Sequence, residues 1–106
     1  MKKLLLFYLF TTFIFSQGLI TKIETDENGN VKQINYYQKV GNYYQKGSTK
    51  IVLVKVEEYY KDGQIKGEGS YKDGEKDGKW AVYKKDGSID KVEEYKNGKL
   101  IETKEY

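Results

Sequence analysis

The residues able to do chemistry in this chain are few in kind. There is no histidine and no cysteine, so Ser48, Ser70 and Ser88 have no imidazole to take their protons, and the usual nitrogen and sulfur ligands of a zinc site are missing. Carboxylates remain. Glu57-Glu58 and Glu93-Glu94 are the paired carboxylates of the kind that flank a glycosidic bond, but neighbours in an extended strand point to opposite faces, so neither pair makes a dyad by itself. Asp73, Asp77 and Asp86 lie in glycine-rich segments that suggest oxygen ligation of a hard cation. Their spacing does not follow a helix-loop-helix calcium loop, and turn chemistry already accounts for an Asp at each place. The expectation is a protein that is not an enzyme and that carries no cofactor or metal.

Binding chemistry is better represented. Lysines precede four turns, at Lys61, Lys72, Lys84 and Lys96, and a row of them would suit acidic lipid head groups. All nineteen basic side chains are Lys, so the guanidinium fork that reads phosphate or guanine bidentately is absent, and nucleic acid is not an expected partner. Aromatic residues are abundant: eleven Tyr and one Trp in 106 residues. Tyr59, Tyr71, Trp80, Tyr83 and Tyr95 form the candidate binding set, because an amphipathic ring packs along its body while its hydroxyl stays wet. The same rings would also serve as the cross-strand ladder of a thin sheet.

These side chains are positioned by a repeat. Tyr59, Tyr71, Tyr83 and Tyr95 recur every twelve residues, each leading into an Asp-Gly or Asn-Gly turn. The intervals from tyrosine to the turn glycines Gly63, Gly74, Gly87 and Gly98 run four, three, four, three, so the unit is twenty-four residues with two strands and two turns. Such dipeptides tolerate the positive φ of tight hairpins. Gly74 to Gly78 reads as a longer loop than the rest. Gly67 and Gly69 alternate within one strand-like segment and leave a smooth strip on which a ring can rest. Before residue 57 the design blurs: Asn28-Gly29 is a turn, Val31 to Tyr37 a strand, Tyr36-Tyr37-Gln38-Lys39 is echoed by Tyr43-Tyr44-Gln45-Lys46, and Ile51 to Tyr60 reads as a long central strand. No segment holds a helical period and there is no proline. The pattern predicts an all-β fold, an antiparallel meander of six to eight strands in an elongated, mostly single-layer sheet.

The opening segment has another character. Met1-Lys2-Lys3 is followed by the uncharged run Leu4 to Phe15 and by Ser16-Gln17-Gly18, the anatomy of a secretory signal with a cut after Gly18 or Ser16. Export would take Lys2 and Lys3 away and lower the formal charge from +3 to +1. The expected organisation is a signal peptide over 1–18 and one continuous domain over 19–106, degenerate over 19–57 and regular over 58–106. The expected location is periplasmic, cell-surface or secreted.

Gly78-Lys79-Trp80, Tyr83, Asp86-Gly87, Tyr95 and Asn97-Gly98-Lys99 resemble the variant form of the MORN repeat over about residues 59 to 101, with Leu100 and Ile101 standing where a further Gly-x-Trp ending would fall. The resemblance implies stacked hairpins marked by Gly63, Gly74, Gly78, Gly87 and Gly98. It also implies a binding or scaffolding role, as in antitoxin-like and envelope-associated members. The expected function is therefore an extracytoplasmic protein-interaction or scaffold module, with an antitoxin or immunity role as one form of it. A membrane-surface or lipid-binding module and a glycan-acting enzyme are the alternatives.

Overall fold

A computed structural model describes residues 19–41 and 50–106. The signal-like segment and the Tyr43–Lys46 echo lie outside them. The described chain is all β: β1 (Ile20–Thr25), β2 (Val31–Val40), β3 (Lys50–Tyr59), β4 (Ile65–Lys72), β5 (Glu75–Tyr83), β6 (Ile89–Lys96) and β7 (Lys99–Glu105). They form one open seven-stranded sheet in chain order, and every neighbouring pair is antiparallel. Residue 57 falls inside β3, so the loss of repeat regularity before it is no break in the sheet.

The alternation of four and three in the sequence is an alternation of turn type. At one end of the sheet the chain reverses through Asp26–Asn30, Tyr60–Gln64 and Lys84–Ser88. In each, the first residue's amide donates to the last residue's carbonyl, and the glycine amide donates back to the first residue's carbonyl. An Asp carboxylate clamps each of these turns further, Asp26 accepting from the Asn28 and Asn30 amides at 2.9 Å, Asp62 from the Gln64 amide at 3.0 Å and Asp86 from the Ser88 amide at 2.9 Å. At the other end, Asp73-Gly74 and Asn97-Gly98 are two-residue turns with positive φ at both positions, 52° and 83° in the first and 51° and 82° in the second. That geometry matches the right-handed strand twist, and Asp or Asn followed by Gly is the pair that adopts it at least cost.

The N-terminal region obeys the same rule with an insertion. Gly29 and Gly63 occupy equivalent turns but stand 34 positions apart, against 24 for Gly63 and Gly87. The ten additional positions lie in β2, β3 and the segment between them, where both strands reach ten residues. The period is lengthened there rather than lost.

Residues 74–78 differ from expectation. They form no long loop: the chain turns tightly at Asp73-Gly74 and β5 starts at Glu75. The surplus is taken up as a bulge, since Gly69 faces Trp80 while Tyr71 faces Lys76, leaving three β5 residues opposite Ser70. Gly78, at φ +87°, supplies the backbone bend. The Ser70 carbonyl is satisfied by the Trp80 indole N–H at 3.0 Å.

Because side chains alternate across a strand, the registers define two faces. One row runs Lys22, Asn35, Val56, Gly69, Trp80, Glu93, Thr103; the row on the other face runs Ile23, Ile34, Glu57, Glu68, Ala81, Val92, Lys104. Among the described residues the buried apolar side chains are Ile34, Tyr36, Val56 and Trp80, divided between the faces, with Leu19, Val31, Val54 and Tyr59 packed against Ile34 and Tyr36. That small core is what one sheet provides when no second layer covers it among the described residues.

Candidate functional site

The five aromatic residues singled out by spacing do not share a face. Tyr71, Trp80 and Tyr95 converge on the first. Trp80, 5% exposed, lies flat on Gly69, where an added Cβ would come within 2.1 Å of the indole. Tyr71 from β4 and Tyr95 from β6 meet it edge-on, at centroid distances of 5.5 and 6.4 Å and interplanar angles of 73°. The Lys76 ammonium stands 4.4 Å from the Trp80 centroid and 4.9 Å from that of Tyr95, inside cation–π range. Both tyrosines remain half-buried. The glycine strip thus holds the ring that its spacing implied, and Trp80 is the floor of the cluster rather than its contact surface.

Tyr59 and Tyr83 belong to the second face, where they meet carboxylates. Tyr36 donates its hydroxyl to Glu57, which is 6% exposed. The Lys55 ammonium lies 3.9 Å from that carboxylate, and Tyr83 donates to Glu68 at 3.3 Å. Burial pushes the Tyr36 phenol far above its ordinary range, and its bond to Glu57 adds to the rise. Tyr59 is raised by burial and then by the Glu57 charge, Tyr83 by burial and then by Glu68. Twelve-residue spacing alternates face because it alternates turn type: Tyr59 and Tyr83 precede the wide turns, Tyr71 and Tyr95 the tight ones. The five glycines that mark the repeat, Gly63, Gly74, Gly78, Gly87 and Gly98, all have positive φ.

One juxtaposition is invisible in the linear sequence. Glu57 and Glu68 are direct cross-strand partners, so two carboxylates do sit side by side on one face. Neither adjacent pair forms it by itself: Glu58 lies opposite Gly67 on the other face from Glu57, and Glu93 and Glu94 face Trp80 and Lys79 on different sides of the sheet. Only the strand register could have revealed this, because the two stand eleven positions apart in the sequence with a turn between them. Like charges directly opposite repel, and the phenols of Tyr36 and Tyr83 donate one to each member of this pair.

The other chemistry is dispersed. Lys61 and Lys84 stand at the wide-turn end and Lys72 and Lys96 at the tight-turn end, so the four make no single basic row. Asp73 and Asp86 are likewise at opposite ends; Asp86 is taken by the Ser88 amide and hydroxyl, and Asp77 accepts from the Asn97 amide at 3.4 Å. Among the described residues no three carboxylates gather as a metal site. An open apolar groove of about 350 Å³ crosses the second face near the wide turns, with Ile23, Val31, Ile34 and Tyr59 in its lining. No protein-family model, curated protein or solved structure matches the chain.

Proposed function

We propose that the chain is a non-enzymatic, exported protein-interaction or scaffold module that engages its partner through the Tyr71–Lys76–Tyr95 face. The observation that carries this reading is the half-exposed tyrosine pair braced on a buried tryptophan, on a sheet face that no second layer covers among the described residues. Rings already fixed by packing lose little entropy on binding, and Tyr and Trp dominate interface energetics for that reason. The MORN-like repeat supports the same role, and an antitoxin or immunity partner is one form of it. The test is cross-linking of the exported protein in its native envelope, followed by affinity measurement with the identified partner. Tyr71→Ala and Tyr95→Ala together should weaken binding at least tenfold while the melting transition stays cooperative. Unchanged affinity in a folded double variant rejects this surface.

The Glu57–Glu68 pair favours a second reading, a glycan-acting site, since carboxylates from neighbouring strands approach the separation used in retaining hydrolysis, about 5 Å. Weighing against it, Glu57 is buried and engaged by Tyr36. Turnover of chromogenic glycosides that Glu68→Gln abolishes would establish this reading, and its absence across substrates would remove it.

A further inference from the structure

Among the described residues β7 is the edge strand of the sheet, and every residue of it is exposed. The Tyr106 amide donates to the Asp90 carbonyl at 3.0 Å. Main-chain groups alternate in direction along an antiparallel strand, so Glu102 and Lys104 face inward to β6 with Tyr106, while Ile101, Thr103 and Glu105 present theirs outward. Ile101 is 58% exposed and sits at a bulge, since Tyr95 faces Leu100 while Glu94 faces Glu102.

Side-chain charges on this edge are unbalanced within one chain. Glu102 lies directly across from Glu94, and Lys104 across from the uncharged Val92. On the second face the sequence of charges through the last strands is Lys79, Glu94, Glu102, two carboxylates adjoining with no cation beyond.

We infer that the protein self-associates by antiparallel pairing of β7 with β7 of a second copy about a twofold axis at Thr103. In that register Thr103 meets its own counterpart through outward main-chain groups, and Ile101 is opposite Glu105. Glu102 is opposite Lys104 of the second copy, twice over. The Glu102–Lys104 pairs occupy the narrower, non-hydrogen-bonded positions, where side chains approach most closely, and each lysine supplies the cation that the Glu94–Glu102 row lacks. The neighbouring registers are excluded by charge. Centring on Glu102 sets Glu102 against itself and lines up four carboxylates with the two copies of Glu94; centring on Lys104 sets lysine against lysine. The bulge at Ile101 ends the ladder, so the edge is closed to long, register-free pairing. The contact is short and lies below the usual size of permanent interfaces, so the dimer is concentration-dependent.

This inference does not rest on the Tyr71–Tyr95 surface, and the variants that test that surface leave β7 intact. Sedimentation equilibrium of the exported protein from about ten micromolar to about one millimolar should show a monomer–dimer equilibrium. Lys104→Glu and Glu102→Lys should each weaken it about tenfold by placing like charges opposite one another, and the double exchange E102K/K104E should restore it. Thr103→Pro removes only an outward N–H, so it should abolish the dimer while leaving the monomer's circular dichroism and melting unchanged. A monomer at every concentration overturns the inference. So does a dimer indifferent to all β7 substitutions, which would place the contact elsewhere on the chain, or a series of species larger than a dimer.

Discussion

Substituting Gly69 with alanine tests the central packing arrangement of the sheet. The added Cβ would lie 2.1, 2.2 and 2.3 Å from three indole atoms of Trp80, against an ordinary carbon–carbon contact of about 3.5–4.0 Å. The indole must therefore lift by more than an ångström, or the strands must part. Lifting it breaks the Nε1–H bond to the Ser70 carbonyl, worth about 1 kcal/mol, and opens the edge contacts with Tyr71 and Tyr95, worth roughly 0.5–1.5 kcal/mol each. The expected loss of stability is about 3 kcal/mol, at the upper end of typical overpacking costs. Trp80 is the only tryptophan, so urea unfolding followed by its fluorescence reads the cost, and a red-shifted native emission reads the lifted ring. Gly67→Ala is the control, because its Cβ would meet only the Ala81 carbonyl oxygen at 3.2 Å; it should cost about 1 kcal/mol. The decisive measurement is G69A in a Trp80→Val background, followed by circular dichroism. There the penalty should fall below about 1 kcal/mol; a penalty equal to that in the wild-type background refutes the clash as its cause.

Three further outcomes follow from the second face and the turns. Tyr36→Phe takes a hydroxyl donor from the buried Glu57 and should cost about 1–3 kcal/mol, measurable by urea unfolding, whereas Glu57→Gln, which still accepts from Tyr36, should cost less. Since Tyr36, Tyr59 and Tyr83 all have folded-state phenol pKa values raised above 10.0, the unfolded chain ionises first. Their contribution is intact below pH 10 and is lost as pH rises above it, so absorbance at about 295 nm should show these phenols ionising together with alkaline unfolding rather than before it. The Asp86 carboxyl is held below its ordinary pKa, chiefly by the Ser88 side chain and amide. Its advantage over Asp86→Ala is therefore complete above pH 3.8 and disappears as the pH falls through the lower folded-state value, which acid unfolding of the pair should display.

Much of the fold was legible in the sequence because hairpin turns are local. Asp73-Gly74 and Asn97-Gly98 specify two-residue reversals from their own backbone preferences, and the four-three rhythm of tyrosine and glycine is a direct record of two turn types alternating at the two ends of the sheet. Meander order then follows, since each strand finds its partner across the shortest connection. Gly67 and Gly69 likewise signalled a smooth strip, and Trp80 lies on it. Residues 74–78 misled because a glycine at each end resembles a loop, whereas Gly78 bends a bulge within β5, a distinction set by the pairing of β4 with β5.

The sequence by itself determined an all-β meander, the turn positions and a periodic tyrosine, all consequences of backbone preference and of alternation along one strand. Which face each tyrosine takes, the stacking of Trp80 between Tyr71 and Tyr95, the meeting of Glu57 with Glu68 and the charge imbalance along β7 were decided only in the tertiary structure. Each depends on the register between strands. A bulge changes that register by whole residues, and no pattern within a single strand records it.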